Sequence, residues 1–265
     1  MHDLSRLSDH LQSLGRVLLG YSGGVDSALL AVAATRSLPR GDFLAVIGRS
    51  ASYPEVQYRT ALDLAAQFDI PVRELDTREL EDPRYLENPV NRCYYCKAEL
   101  WNRLTGLAVE LSFGWVIDGT HADDLAEHRP GRAAGLTRGV RSPLAELGFG
   151  KPAIREMARS LGIPLWDAPA SPCLSSRVQY GLAITPERLR QVERAEAFLR
   201  GLGVAGDLRV RHLGSRARVE VAPGEFELVD RHWADIVSRL SSLGFDAVER
   251  DARGYRRGSL LVLAG

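Results

Sequence analysis

Ser22-Gly23-Gly24-Val25-Asp26-Ser27 is entered from an apolar, strand-like run (Arg16 to Tyr21) and left by an Ala/Leu-rich helical run (Ala28 to Leu38). The adjacent glycines let the backbone turn tightly and present consecutive N–H groups, and the helix that follows points its positive dipole end into the same space. Such a turn is a cradle for phosphate, and pyrophosphate oxygens would satisfy its donors. The pattern G-x-x-x-x-G-K-[ST] is absent, so no lysine is placed to reach the outer phosphates of a kinase or GTPase substrate. Asp26 sits in the turn instead, suited to a magnesium ion held between phosphates. The bland alternative is a glycine-rich turn of a doubly wound fold with no ligand.

A chain of 265 residues, 45% apolar and 26% charged, has room for one sizeable core plus a smaller unit and shows no bias toward disorder. Its formal net charge is zero, which implies no strongly electrostatic grip on nucleic acid or an anionic membrane and leaves small molecules as the expected partners. Lys97 and Lys151 are the only lysines among many arginines, a bias that reads as compositional, although arginine also makes the better bidentate phosphate contacts. No apolar run approaches the length of a membrane span, and residues 1–15 lack a signal peptide's basic start and apolar core, so a cytoplasmic location is expected. Three cysteines, an odd number, do not suit a disulfide framework; in a reducing compartment they serve as thiols or metal ligands.

Strand-like segments at Val17 to Tyr21, Phe43 to Ile47, Val72 to Leu75 and Trp115 to Asp118 alternate with helical patterns such as Glu55 to Phe68 and Lys97 to Leu111. This alternation predicts an α/β fold, a doubly wound parallel sheet covered on both faces. In such sheets ligands bind beyond the carboxyl ends of the strands, so the loops Ser22 to Ser27, Gly48 to Ser52 and Gly119 to Asp124 should meet at one site. Lys151 to Leu161 reads as a further helix stopped by Gly162 and Pro164, and the prolines of Pro169 to Arg177 mark a loop. From about Ile184 the pattern changes. Thr185 caps a helix whose Leu189, Val192, Phe198 and Leu199 share a face; strands follow at Leu208 to His212 and Ala217 to Val221, then a helix from about Glu225 to Leu240, then strands near Ala247 and Leu260. The expected organisation is a domain over 1–182 and a small α+β domain over 183–265.

Cys93-Tyr94-Tyr95-Cys96 lets two thiolates point at one metal from a single turn. Cys173 is the one further sulfur, with His121 or His128 as candidate fourth ligands for zinc. Three cysteines also suit an iron–sulfur cluster with one open iron, while a redox pair or packing thiols are the simpler uses. The pair follows Pro89 in what reads as a loop, without the strand-motif-helix context of a thioredoxin-type site. Cys173 lies in a loop beside Ser175, Ser176 and Arg177, where a nearby cation favours the nucleophilic thiolate. Arg209 and Arg211, two apart on a strand, face one side, with Arg256 a candidate partner, although a solvated face explains them equally. Glu193 and Glu196 share a helical face with Arg200, and a surface i,i+4 pair is expected for Glu196.

The Ser22–Ser27 loop, between strand and helix, resembles the SGGxDS loop of the ATP pyrophosphatase (PP-loop) superfamily, whose members cleave ATP between the α and β phosphates and adenylylate a substrate. Together with Asn91 to Lys97, Gly119 to Asp124, His128-Arg129-Pro130-Gly131, Ile163 to Arg177 and Arg209 to Val221, it resembles nearly end to end the ATP-dependent sulfur transferases that build the nickel-pincer nucleotide of lactate racemase, the LarE family. The resemblance implies that a carboxylate of a pyridinium dicarboxylate mononucleotide is adenylylated, AMP leaves, and a thiocarboxylate results. It implies Asp26 on magnesium; Ser22, Gly23, Gly24 and Ser27 on the phosphates of ATP; and Gly119, Asp123 and Asp124 at the nucleotide or metal. Arg177, Arg209, Arg211 and Arg256, near Glu220, are then placed at the substrate's phosphate. In some members a single cysteine, matched by Cys173, gives up its sulfur and becomes dehydroalanine; others hold a [4Fe-4S] cluster on three cysteines, matched by Cys93, Cys96 and Cys173, whose open iron carries an extra sulfide, and because this chain has all three cysteines the resemblance favours the cluster as the sulfur source. The family forms oligomers. This chain departs from the usual GTNxDD by carrying His121 for asparagine.

Three rivals carry different signatures. A tRNA thiolase of the same superfamily calls for a basic RNA-binding module, and the C-terminal arginines here are balanced by Glu220, Glu225, Asp230 and Asp235. An amide-forming synthetase has no need of the three cysteines. A nonenzymatic nucleotide sensor has no need of Asp26 beside thiols, and would not turn over ATP.

Overall fold

A computed structural model describes residues 2–125, 130–169, 172–256 and 258–260. Its contacts divide the chain into two units, Met1–Glu79 with Asn91–Ser171, and Leu80–Val90 with Pro172–Gly265.

The first unit is built on β1 (Val17–Gly20), β2 (Phe43–Arg49), β3 (Val72–Asp76) and β4 (Trp115–Ile117), in the order β3-β2-β1-β4. All pairings are parallel, with Val17 opposite Phe43 on one side and Trp115 on the other. Alternate strand residues face opposite ways, and both sets are buried. Val17, Leu19, Ala45, Ile47 and Ile117 pack into a core with α1 (His2–Leu14), α2 (Val25–Ser37), α3 (Glu55–Gln67), α7 (Pro143–Glu146) and α8 (Lys151–Ser160). Leu18, Val46 and Val116 join Trp101, Leu104, Leu107 and Ala108 of α5 (Arg92–Glu110) and Ala134 of α6 (Pro130–Leu136). The sheet is therefore doubly wound, as the alternation predicts. Strand order reverses at β1, so the loops leaving β1 and β4 flank the crevice where such folds bind ligands. Among the described residues no helix is long and apolar enough to cross a membrane.

The second unit holds a mixed sheet of β5 (Leu208–Leu213), β6 (Arg216–Val221) and β7 (Ala247–Arg250): β5 runs antiparallel and β7 parallel to β6. Its core joins Val210, Val219 and Val221 to Ala195 and Leu199 of α9 (Pro186–Gly201) and to Ile236 and Leu240 of α11 (Trp233–Ser242). The helix expected over Glu225 to Leu240 is broken at His232 into α10 (Phe226–Arg231) and α11. Residues 258–260 form a turn, and the rest of the strand expected near Leu260 falls on 261–265, outside the described residues.

The division differs from one at 182/183, and hydrogen bonds supply the reason. Leu80–Val90, which carries α4 (Pro83–Leu86), is stitched to the stretch after Pro172. The fully buried Asn88 adopts a left-handed conformation (φ 55°), which asparagine tolerates, and its amide donates to the carbonyls of Gln179 (2.8 Å) and Leu182 (3.0 Å). Ile184 N–H donates to Leu86 O at 2.8 Å, and the Tyr85 hydroxyl meets Ser175 Oγ at 2.5 Å.

A buried imidazole on β5 ties the stability of this unit to pH. The Gln191 amide nitrogen donates to Leu243 O (2.8 Å), so its oxygen faces His212 Nε2 (3.0 Å), which must carry the proton. Nδ1 is buried with no hydrogen-bond partner among the described residues, leaving nothing to accept a second proton. Burial first, then the nearby Arg188 charge, lower this imidazole's pKa to about 4. The unfolded chain takes up the proton below about 6.5 and the folded chain only below about 4, so stability present above 6.5 is lost as the pH falls between them. The loss should reach about 3 kcal/mol. Denaturant unfolding of wild type and His212→Gln from pH 7 to 4 checks this: the wild type should lose the extra stability and the variant should not.

Candidate functional site

In the first unit the glycine loop closes on itself before α2 begins. Ser27 Oγ donates to Gly24 O (3.0 Å), accepts from Ser22 N–H (3.3 Å) and lies 3.2 Å from Ser22 Oγ in a further hydrogen bond. Gly24 caps α2 in extended geometry without a side-chain cap, so the first-turn N–H groups keep their donor capacity for a ligand. Gly23 has φ 68°, and a Cβ there would stand 2.7 Å from the Ala61 Cβ. The loop after β4 comes up against this turn. A Cβ on Gly119 would meet the Ser27 nitrogen at 3.1 Å and the Asp26 Cβ at 3.2 Å, so any larger residue would have to push the two loops apart by a few tenths of an ångström.

A residue the sequence pattern did not single out completes the group. Lys151 Nζ donates to both Asp26 carboxylate oxygens, at 2.6 and 2.9 Å, and its backbone N–H, in the first turn of α8, donates to Asp123 Oδ2 at 2.7 Å. The loop lacks the lysine of a G-K-[ST] motif, yet a lysine more than a hundred residues away brings an ammonium group to it. No spacing rule relates the two positions; the available signal was a helix starting with one of only two lysines in the chain. Both side chains of this pair remain partly accessible, at 31% for Lys151 and 26% for Asp26, so a ligand can reach them.

Asp123 and Asp124 divide their tasks. Asp124 is buried, with Oδ2 accepting from His121 N–H (3.3 Å) and Oδ1 3.4 Å from His121 Nε2. Asp123 caps α8 through the Lys151 amide and stays open to solvent. His121, in the position the family pattern gives to asparagine, is buried beside both carboxylates, its Nδ1 3.7 Å from Asp123 Oδ2. Thus Ser22, Gly23, Gly24, Asp26, Ser27, Gly119, Asp123 and Asp124 lie on two neighbouring loops. His128 and Arg129 lie outside the described residues.

Cys93 and Cys96 sit in the first two turns of α5 rather than in the expected loop, because the helix begins at Arg92, soon after Pro89. Three residues apart on a helix, they share a face; Cys93 is exposed and Cys96 half-buried. Cys173 belongs to the second unit, at the cap of a short 3-10 turn, Leu174–Arg177. Its carbonyl accepts from Ser176 Oγ (2.7 Å), Ser176 N–H (3.0 Å) and Arg177 Nη1 (3.0 Å), which fixes the backbone carrying a half-buried thiol. Among the described residues, no three His, Cys, Asp or Glu side chains are grouped to hold a metal ion.

The arginines of the second unit are not a solvated face. Arg177, Arg209 and Arg211 are each buried, as is Glu220. Arg211 pairs with Glu220 (2.8 Å) and donates to Ser259 Oγ and Ser176 O. Burial first, then the Arg177 charge, hold the Arg209 guanidinium below its usual pKa, and its plane lies over the Tyr255 ring. Arg256 pairs with Asp251 instead of joining Arg209 and Arg211. Glu196, expected to pair with Arg200, instead holds Arg177 through two 3.0 Å bonds and accepts from Val210 N–H, while Arg200 donates to Val204 O and Gly206 O. The closing turn of α9 puts those carbonyls nearer to Arg200 than the carboxylate, which is turned toward the sheet.

Comparison with known proteins finds the NAD synthase family over residues 6–84, the stretch that carries β1 to β3. Over 259 residues the chain is 41% identical to an uncharacterised protein of Synechocystis sp., covering 97% of this chain and 96% of that one. It is 34% identical over 254 residues to the pyridinium-3,5-bisthiocarboxylic acid mononucleotide synthase of Lactiplantibacillus plantarum, covering 94% and 90% of the two chains. Over 80 residues it is 41% identical to the glutamine-dependent NAD(+) synthetase of Rhodobacter capsulatus, 29% of this chain and 14% of that one.

Removing the ammonium from this site should weaken its hold on anions. Lys151→Ala is expected to lower affinity for inorganic pyrophosphate, measured by calorimetry, by about tenfold to a hundredfold, with Lys97→Ala as the control that leaves it unchanged.

Proposed function

This chain belongs to the pyridinium-3,5-bisthiocarboxylic acid mononucleotide synthase family, the LarE family, and we propose on that basis that it activates a carboxylate of a pyridinium dicarboxylate mononucleotide with ATP and replaces an oxygen of that carboxylate by sulfur. It is an ATP-dependent enzyme. The observation that carries the reading is the glycine turn joined to the Asp26–Lys151 pair, a set of amide and ammonium donors suited to a departing pyrophosphate.

A carboxylate oxygen is a poor leaving group, so the chemistry proceeds in two stages. The substrate carboxylate attacks the α-phosphorus of ATP, the bond to the bridging oxygen breaks, and pyrophosphate leaves carrying the electron pair. The α2 amides and Lys151 take up its charge. Magnesium supplies further offset of phosphate charge when bound, and the residues fit it: this ion is commonly held by one or two carboxylates plus phosphates, and Asp26 is the carboxylate at the loop. In the second stage the Cys173 thiolate attacks the acyl-adenylate and AMP leaves. A base then removes the Cys173 Cα proton, the Cα–Cβ double bond forms, and the Cβ–S bond breaks, releasing the thiocarboxylate and leaving dehydroalanine. Arg177, Arg209 and Arg211, with Glu220 and Arg256 near the same sheet, are assigned to the substrate's phosphate. Cys93 and Cys96 suit two ligand positions of a [4Fe-4S] cluster, with Cys173 the third sulfur of the chain.

Products and variants test each stage. ATP should yield AMP and pyrophosphate, and Asp26→Asn should lose most turnover; ADP and phosphate as products would sink the assignment. Cys173→Ala should still release pyrophosphate and accumulate adenylylated substrate while forming no thiocarboxylate by mass spectrometry. Wild-type protein lighter by one H2S after turnover identifies the Cys173 side chain as the sulfur source. Unchanged mass with repeated turnover on added sulfide, together with iron and acid-labile sulfide in anaerobically purified protein, would transfer that role to a cluster.

A further inference from the structure

The first peptide of the glycine loop is held from outside the loop by the start of α3 and the residues before it. The Ser22 carbonyl oxygen accepts two side-chain hydrogen bonds, from the Tyr53 hydroxyl at 3.0 Å and from the Gln57 amide nitrogen at 2.7 Å. A carbonyl oxygen has two lone pairs, so these donors saturate it. One residue earlier, the Tyr21 hydroxyl donates to Ala61 O of α3 at 3.2 Å, so consecutive residues leaving β1 are tied to one helix. Ala61 also occupies the space a Gly23 side chain would need.

Peptide planarity turns this clamp into a statement about the loop. The Ser22–Gly23 peptide is trans, so the Gly23 N–H points opposite to the Ser22 carbonyl. With the carbonyl drawn onto α3, the Gly23 N–H is directed away from it, and among the described residues no acceptor meets that N–H. Flipping this peptide would break both side-chain bonds at once. Neither Tyr53 nor Gln57 has any other hydrogen bond among the described residues that would explain its orientation, although Tyr53 is also steadied by an edge contact with the Tyr58 ring, 6.5 Å between centroids.

We propose that Tyr53 and Gln57 are positioning residues for anion binding, acting through the Ser22 carbonyl to aim the Gly23 N–H at the pyrophosphate portion of ATP. They act before ligand arrives, so the donor is fixed in advance and no peptide rotation is needed on binding. The proposal rests on the pyrophosphate-cradle reading and extends it from the loop to the helix beside it. Neither side chain touches the reacting atoms in this scheme.

Tyr53→Phe and Gln57→Met each delete a donor while keeping nearly the same bulk. Calorimetry should show each single variant binding inorganic pyrophosphate several-fold more weakly than wild type and the double variant about tenfold or more weakly, with adenosine affinity unchanged. In steady state the double variant should lose kcat for pyrophosphate release more than it changes KM for the carboxylate substrate. Single variants that keep the wild-type melting temperature make the result independent of how well the double variant folds. Pyrophosphate affinity within twofold of wild type in both single variants, or an equal loss for adenosine and pyrophosphate, would overturn the brace alone. Wild-type protein that binds no pyrophosphate would overturn the cradle and the brace together.

Discussion

Backbone pairing of β1 on both edges is the constraint on which the first unit depends. Hydrogen-bonded to β2 on one side and β4 on the other, and buried on both faces, this strand has no freedom to shift its register or tilt. Its last residues therefore deliver the Ser22–Ser27 turn to one place, beside the end of β4. Gly119 can approach the Ser27 amide because neither loop has to reach far, and α8 returns to set Lys151 against Asp26. A slip of β1 by one residue would exchange the side chains facing the two cores and move the turn as well, so sheet packing and site geometry are one requirement.

The charges of the two units behave differently because their exposure differs. In the second unit Arg211 and Glu220, and Arg177 and Glu196, are ion pairs with little contact with water, where desolvation makes an unpaired member very costly. Arg177 also donates to the Cys173 carbonyl, which ties one of these pairs to the backbone of that turn. The Lys151–Asp26 pair is shared with solvent, and its members can exchange one another for phosphate or a cation at small cost. Locked charges thus surround the sulfur-bearing turn, and exchangeable ones line the glycine turn.

How much was legible in the sequence followed from the range of the interactions. Short apolar runs and glycine punctuation are local signals, so β1 to β4 and the turns after β1 and β4 were readable, as was the helix that Thr185 caps, its hydroxyl accepting from Arg188 N–H. The start of α5 was missed because Pro89 and Asn91 read as loop punctuation, although Arg92 onward continues a helical pattern into Lys97. Glu196 was misread because i,i+4 spacing is visible in sequence while Arg177, nineteen residues away, is not. Lys151, Tyr53 and Gln57 lay beyond reach for the same reason: each acts on the glycine turn from a different element, and composition carries no register between elements. The resemblance to a known family supplied what local patterning could not, namely the substrate class.

The stitch made by Asn88 bears on how the polypeptide is born. Leu80–Val90 emerges from the ribosome inside the first unit's sequence, yet its partners Ser175, Gln179 and Leu182 are made only after α5, β4 and α8 have been synthesised. At translation rates of about 5–20 residues per second this eleven-residue piece waits on the order of seconds, with the carbonyls and amides it will later share still bonded to water. The nascent chain must therefore close the parallel sheet around an unpaired excursion, and the second unit cannot complete until the C-terminal strands arrive. An N-terminal fragment ending anywhere between Val90 and Pro172 would carry Asn88 without its acceptors.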